Sequence, residues 1–196
     1  MADKLDKQIG SYVKKLRKIK NIEVPRANAR ALNTVGRRSV KRVIRGISKE
    51  TRIPQKALRK RTFIAKANSK KQNVKLTGYA APVSAVNLLT NSQKTRIGKG
   101  TNRQGVRAKG YMWKGAFIAR GLNDNLHVFQ RTGITHRPTK GNYKGQTRDE
   151  IKSVKISVNK QFSRAMSVVP RRVMSSDYRK LLQNDLKFRL SKYEVR

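Results

Sequence analysis

Apolar residues recur every three or four positions near the N-terminus. Leu5, Ile9, Tyr12, Val13, Leu16 and Ile19 form one stripe, with Lys and Arg opposite, which predicts a helix over residues 3–20. Asn21 and Pro25 interrupt it. Pro25 suits the first turn of a second helix, where its missing N–H costs nothing. That helix presents Leu32, Val35, Val40, Val43, Ile44 and Ile47 as its buried side. Ala27, Ala29 and Ala31 permit close approach of another element. Gly36 weakens a helix interior by about 1 kcal/mol relative to Ala, which close packing would explain. Thr51 is placed to cap a short third helix over 54–61, with Ile53 held extended by the proline after it.

After Arg61 the period shortens. TFIAKA, NVKLTGYA and PVSAVNLL predict short strands rich in β-branched residues. Residues 90–114 (TNSQKTRIGKGTNRQGVRAKGYMWK) hold four glycines and seven Lys or Arg without periodicity, which predicts a long loop or a hairpin with a mobile tip. GAFIARGL and LHVFQRTG predict two strands joined at Asn123-Asp124-Asn125, residues that tolerate left-handed backbone angles. A polar loop over 134–150 leads to a strand over 151–158, where Val154, Ile156 and Val158 alternate. Phe162, Met166, Val169 and Val173 return to helical spacing. Asp177 is placed to cap a last helix with the stripe Tyr178, Leu181, Leu182, Leu186, Leu190 and Tyr193.

The fold class predicted is α+β: N-terminal helices, a small mostly antiparallel sheet with a long basic loop, and C-terminal helices. The length of 196 residues predicts a single domain over 1–196. Within it stand a helical arm or first helix (1–22), helices (23–61), the sheet with its basic loop (62–133), the polar loop (134–150), a strand (151–158) and C-terminal helices (159–196). The first helix reads as core, with a docking arm for a neighbour as the alternative. No internal repeat of 20–50 residues is present.

Charge changes the picture most. Lys and Arg total 49 against 10 Asp and Glu, a net +39, and only 36% of residues are hydrophobic, below the ~45–50% of ordinary globular chains. Self-repulsion at that charge calls for a polyanion or a neutralising assembly. Between Glu50 and Asp124 there is no acid and there are seventeen Lys and Arg. No ion pair can form within that segment, so its cations face water, other subunits or phosphate. Lys94, Arg96, Lys99, Arg103, Arg107 and Lys109 are the candidates for contact with nucleic acid or an acidic partner. Gly115, Phe117, Ile118, Val128 and Phe129 are candidates for the strands beneath them, and Pro25 for the helix start. Tyr111 and Trp113 read as anchors of the loop on the sheet, with base stacking as the alternative. No signature of base-specific readout is present, so contact with DNA would be independent of sequence.

Other chemistry is excluded or unsupported. The chain has no cysteine, and His127 and His136 alone cannot close a zinc site, so no metal or cofactor is expected. GKGTNRQG lacks the Gly-Lys-Ser/Thr end of a P-loop. Asp149 and Glu150 are adjacent but unaccompanied by a second titratable pair, and no catalytic residue is expected. No apolar run reaches the ~18 residues of a membrane span. The first twenty residues lack a secretory core, so the product is expected to stay where it is made.

Two segments carry a resemblance. VPRANARALNTVGRRSVKRVIRGISKETRIPQKALRKR (24–61) resembles the opening of the phage minor tail protein Z family, with its Val-Pro, Ala-rich helix, Glu-Thr and basic stretch. GAFIARGLNDNLHVFQRTG (115–133) resembles that family's Gly-Ala-Phe-Ile strand and the His-Val-x-x-Arg strand after it. The VKISV strand followed by helices is similar in order, whereas the 134–150 loop is longer and richer in Gly and Lys. The resemblance implies a structural tail completion protein in the virion, at the head-proximal end of the tail. It also implies a homo-oligomeric ring, six-fold like the tail, beside the tail terminator, tail tube or head–tail connector proteins. Phage DNA or a tape-measure protein would then face the basic lumen. Composition alone leaves open a sequence-independent nucleic-acid-binding protein of ribosomal or nucleoid type.

Overall fold

The computed structural model describes the backbone of residues 2–101, 103–140 and 144–193, and side chains from residue 8 onward. Asp3, Asp6 and Leu5 as side chains, Asn102 of the basic segment, residues 141–143 of the polar loop and residues 194–196 lie outside the described residues. The chain is α+β and divides into two compact units. The first comprises Met1–Gly46, Arg59–Tyr79 and Gln161–Arg196; the second comprises Ile47–Leu58 and Ala80–Lys160.

Three helical segments run on without a loop in the first part of the chain. Helix α1 (Ala2–Lys18) passes into a π-helical turn (Ile19–Glu23) and then into α2 (Val24–Thr51). The interruption expected at Asn21 and Pro25 is therefore this π turn. Its cause is Pro25, whose ring would meet the carbonyl four residues back in an α-helix. The wider turn carries an extra residue, and the Val24 N–H donates to the Ile19 carbonyl.

In the first unit, α2 buries Ala27, Ala31, Val35 and Val43, all at 6% exposure or less. Strands β1 (Thr62–Ala65) and β2 (Lys75–Gly78) form an antiparallel ladder. Asn33 of α2 clamps the chain just past β1: its amide donates to the Ala67 carbonyl and accepts from the Ala67 N–H, both at 2.9 Å. Gly36 lies against this hairpin, and a Cβ there would stand 2.9 Å from Val74 Cγ1, which is the close packing its sequence position calls for. A Cβ at Gly46 would meet nothing within 4 Å. Gly46→Ala is thus expected to raise stability by about 1 kcal/mol through helix propensity. Gly36→Ala is expected to lower it, since overpacking costs about 1–3 kcal/mol. Paired urea titrations read the difference.

The last helix, α5 (Asn159–Leu190), is continuous, with Pro170 inside it. The expected division at Asp177 does not occur, because tertiary partners take that carboxylate. Arg38 Nη1 donates to it at 2.8 Å and Arg42 stands 3.7 Å away. The Ser176 hydroxyl, then Arg38, hold its pKa below the usual aspartate value. Phe162 and Val173 of α5 are buried, and the Phe162 ring fills the space over Gly78.

A second tie joins the π turn to the end of α5. Arg189 donates to Glu23 at 2.8 Å and to Asp185 at 2.7 Å, and the Tyr193 hydroxyl also reaches Glu23. The Arg189 hydrogen bond holds the Glu23 carboxyl below its ordinary value of 4.5. A carboxylate with a depressed folded pKa stabilises the fold above its unfolded value and loses that contribution as pH falls. The helical melting midpoint is therefore expected to drop as pH falls below about 4.5. Glu23→Gln should show a shallower drop over the same window by circular dichroism.

In the second unit, α2 ends at Thr51, whose hydroxyl donates to the Ile47 carbonyl and accepts from the Ile53 N–H. Thr51 thus finishes α2, and no bond from it caps the short α3 (Gln55–Arg59). The segment PVSAVNLL is strand only over β3 (Val83–Ser84), then a 3₁₀ turn over Ala85–Leu88 that buries Ala85 and Leu88. The expected loop over 90–114 holds a helical turn, α4 (Asn91–Lys94), and an antiparallel hairpin of β4 (Gly105–Ala108) and β5 (Tyr111–Lys114). Strands β6 (Ala116–Arg120), β7 (Leu126–His136) and β8 (Arg148–Ser153) form one antiparallel sheet, and β9 (Lys155–Ile156) pairs with β3. The β6–β7 turn places Asp124 at φ +56°, as its sequence suggests. The polar loop is shorter than 134–150, because β7 continues to His136 and β8 begins at Arg148. Among the described residues no helix is long and apolar enough to cross a membrane.

Candidate nucleic-acid interface

The basic segment is held by its backbone, which leaves its side chains outward. Thr90 and Gln93 make a reciprocal capping box at the start of α4, and Gln93 Nε2 donates on to the Arg107 carbonyl. Past α4 the chain runs beside β6: the Gly98 N–H donates to the Ile118 carbonyl at 2.6 Å, and the Ile118 N–H to the Lys99 carbonyl at 3.0 Å. Thr101 then clamps the hairpin. Its hydroxyl accepts from the Arg107 N–H at 2.6 Å and donates to the Arg107 carbonyl at 3.2 Å.

The hairpin has two faces. Val106 pairs with Trp113 and Ala108 with Tyr111 on the buried side. The two rings stack at 5.7 Å and 4°, and the Tyr111 hydroxyl donates to the Thr51 carbonyl. Both aromatics therefore anchor the hairpin. Arg107, opposite Met112, faces out. Lys109 and Gly110 form the tip with φ of +46° and +88°, the backbone of a two-residue turn.

Of the six candidate cations, Arg96, Lys99, Arg103, Arg107 and Lys109 are exposed and Lys94 is half-buried. Arg96 and Arg107 meet at Thr101, whose carbonyl accepts from Arg96 Nη1 at 2.9 Å. Lys109 stands at the tip, Lys99 lies beside β6, and Lys94 ends α4. Arg52 is an addition that sequence spacing did not suggest: its guanidinium donates to the Lys109 carbonyl at 3.3 Å and so joins the tip. A groove of about 540 Å³ brings Trp113 together with Arg131, Lys152 and Lys155. The register of strands joined across a loop determines that grouping, and no local pattern reveals it.

Beneath the segment, Ile118 and Val128 pair across β6 and β7 and are fully buried. Phe117 and Phe129 pair on the opposite face, half-buried, with ring centroids 6.1 Å apart. Gly115 turns the chain from β5 into β6 at φ +65°. His127 stands beside Phe129 and His136 is exposed. Asp149 is bonded to Arg131, and Glu150 to Thr132 and Lys152; the Thr132 hydroxyl holds Glu150 below its usual pKa. Among the described residues no group of His, Asp and Glu is arranged to hold a metal ion.

Six of the seven acids with described side chains thus serve as ties inside each unit: Glu23, Asp124, Asp149, Glu150, Asp177 and Asp185. Between Glu50 and Asp124 there is no acid, and the outward cations of that stretch that belong to the second unit, Arg52 and those from Arg96 to Lys109 among them, give it a positive patch.

No solved structure matches the chain significantly. A protein named tail completion protein, from Escherichia phage N15, is 30% identical over 136 residues, covering 67% of this chain and 73% of the relative. The family described as prophage minor tail protein Z (GPZ) matches residues 7–196, and the chain, with its Val-Pro-headed α2 and its β6–β7 hairpin, belongs to that family.

Proposed function

We propose that the chain completes a phage tail: a subunit of a closed ring at the tail's head-proximal end, joining tail to head and lining the passage taken by DNA. Supporting the reading is the positive strip at Lys94, Arg96, Lys99, Arg103, Arg107 and Lys109. It rises from a segment without acids and is held by backbone bonds; among the described residues, Arg96 alone of the six bonds through its side chain, to the Thr101 carbonyl. The name of the phage N15 relative points the same way.

A ring requires a heterologous contact, one patch against a different patch of the next copy, whose rotation closes. Closing around DNA concentrates the positive strips on a lumen and neutralises a charge that opposes the isolated subunit. A six-fold ring would match the symmetry of a tail, with the tail terminator, tail tube or head–tail connector as neighbours. The mechanism is binding without turnover.

Gold-labelled antibody on purified particles, read by electron microscopy, tests the placement. Label at the head–tail junction is the expected result. Label missing from intact particles, with the protein recovered on intracellular nucleic acid, would replace this reading with a sequence-independent nucleic-acid-binding protein.

A further inference from the structure

Helix α1 keeps its apolar face in solvent. Ile9, Tyr12, Val13 and Leu16 are 51, 56, 40 and 64% exposed. At about 100° per residue they share one side of the helix. Ser11, Lys14 and Lys18 lie on the other side, where they line a cleft with Tyr193, and Lys18 Nζ sits 5.9 Å from that ring. The apolar side is thus left to water, whereas an amphipathic helix in a finished fold buries that side.

The spacing says what kind of element covers it. Ile9, Tyr12, Leu16 and Ile19 follow one another at three, four and three residues, the a/d seam of a heptad. Lys15 lies at a flanking position, its ammonium 5.6 Å from the Tyr12 ring. Lys14, Lys15, Arg17, Lys18 and Lys20 fall between residues 8 and 22, where there is no acid. A second copy of the helix would set lysine against lysine along the seam. An acidic helix would satisfy both the seam and its flanks.

We propose that α1 is a docking helix for another protein, whose binding element is an amphipathic helix with Leu or Ile in its seam and Glu or Asp at the flanks. This goes beyond the ring reading and stands apart from it, since losing the contact leaves the lumen charges in place.

The probe is a designed three-heptad peptide with Leu at a and d and Glu at e and g, titrated by fluorescence anisotropy into the full chain at about 150 mM salt, where surface attraction is screened. Two control peptides keep the length: one has Ser at a and d with the same charge, and one has Lys at e and g. The acidic heptad peptide should bind at least tenfold more tightly than either. The Ile9→Ser/Leu16→Ser variant keeps the chain's charge and changes only exposed positions, and it should erase that margin with an unchanged circular dichroism spectrum. Equal binding of the Ser peptide would reduce the effect to charge and overturn the proposal. Self-association of the chain that disappears in the variant would overturn it in favour of a second copy. Binding to anionic phospholipid vesicles with no preference for the heptad peptide would overturn it in favour of a membrane surface.

Discussion

Replacing Lys94, Arg96, Lys99, Arg103, Arg107 and Lys109 with glutamine should flatten the salt dependence of duplex DNA binding by up to about 5 in the slope of log K against log salt. Each neutralised phosphate contributes about 0.9 to that slope, and six contacts would be removed. Between about 50 and 200 mM salt the parent chain should lose affinity by orders of magnitude and the variant far less. The fold should survive. Thr101 holds the strip through the Arg107 backbone, and among the described residues the one side-chain bond lost is that of Arg96 to the Thr101 carbonyl. A matched variant neutralises Arg164, Arg171, Arg172, Arg179, Lys180 and Lys187, all exposed on α5. It removes the same charge from the first unit and should flatten the slope much less. Equal slopes for the two variants would mean the chain binds DNA by net charge alone. Unchanged infectivity of phage carrying the first variant would end the claim that the strip works in the particle.

A single methyl group should do the most damage to the fold at Gly105. This residue opens β4 at φ +138°, where an L side chain is strained at a cost of about 1–3 kcal/mol. The same Cβ would run into the Trp113 carbonyl oxygen and stand 2.8 Å from the Gly115 nitrogen. Neither atom can swing aside, since both belong to the backbone that pairs the hairpin and leads into β6. Gly105→Ala is therefore expected to cost 3 kcal/mol or more, by about the sum of strain and overpacking. That is a large fraction of the ~5–15 kcal/mol available to a domain. The urea midpoint should fall steeply, and Trp113 fluorescence should report loss of its stacking on Tyr111. A midpoint within 1 kcal/mol of the parent would show that the hairpin can change register at no great cost.

How much of this was legible depends on whether the decisive contact is local. The strands around Ile118 and Val128 could be read because alternation and an Asn-Asp-Asn turn lie within a few residues of each other. The second helix could be read from its stripe, and Gly36 from the mismatch between its propensity and its place. The β4–β5 hairpin was open to reading in principle: Val106, Ala108, Tyr111 and Trp113 alternate about Lys109-Gly110, yet with only two such residues on each side of the turn the period is too short to stand out. Continuity of α5 was not legible. Asp177 has the chemistry of a cap, and only the arrival of Arg38 and Arg42 from α2, far along the chain, turns it into a tie. For the same reason the charge strip was half legible. Its residues stand together in sequence, whereas Arg52 reaches the tip from the end of α2, and Arg131, Lys152 and Lys155 gather in a groove beside Trp113 through strand pairing.

The π turn over Ile19–Glu23 also sets a phase. One added residue rotates everything on its N-terminal side by about 100° relative to a plain α-helix. The direction in which the stripe of Ile9, Tyr12 and Leu16 points is thus fixed by a single insertion. Removing one residue from the turn would swing the stripe about a quarter of the way around the helix axis. Pro25 opposes that loss, because the plain helix would drive its ring into a carbonyl at a cost of about 3 kcal/mol. The proline acts as a key that keeps the azimuth of the arm from drifting while the residues along it change.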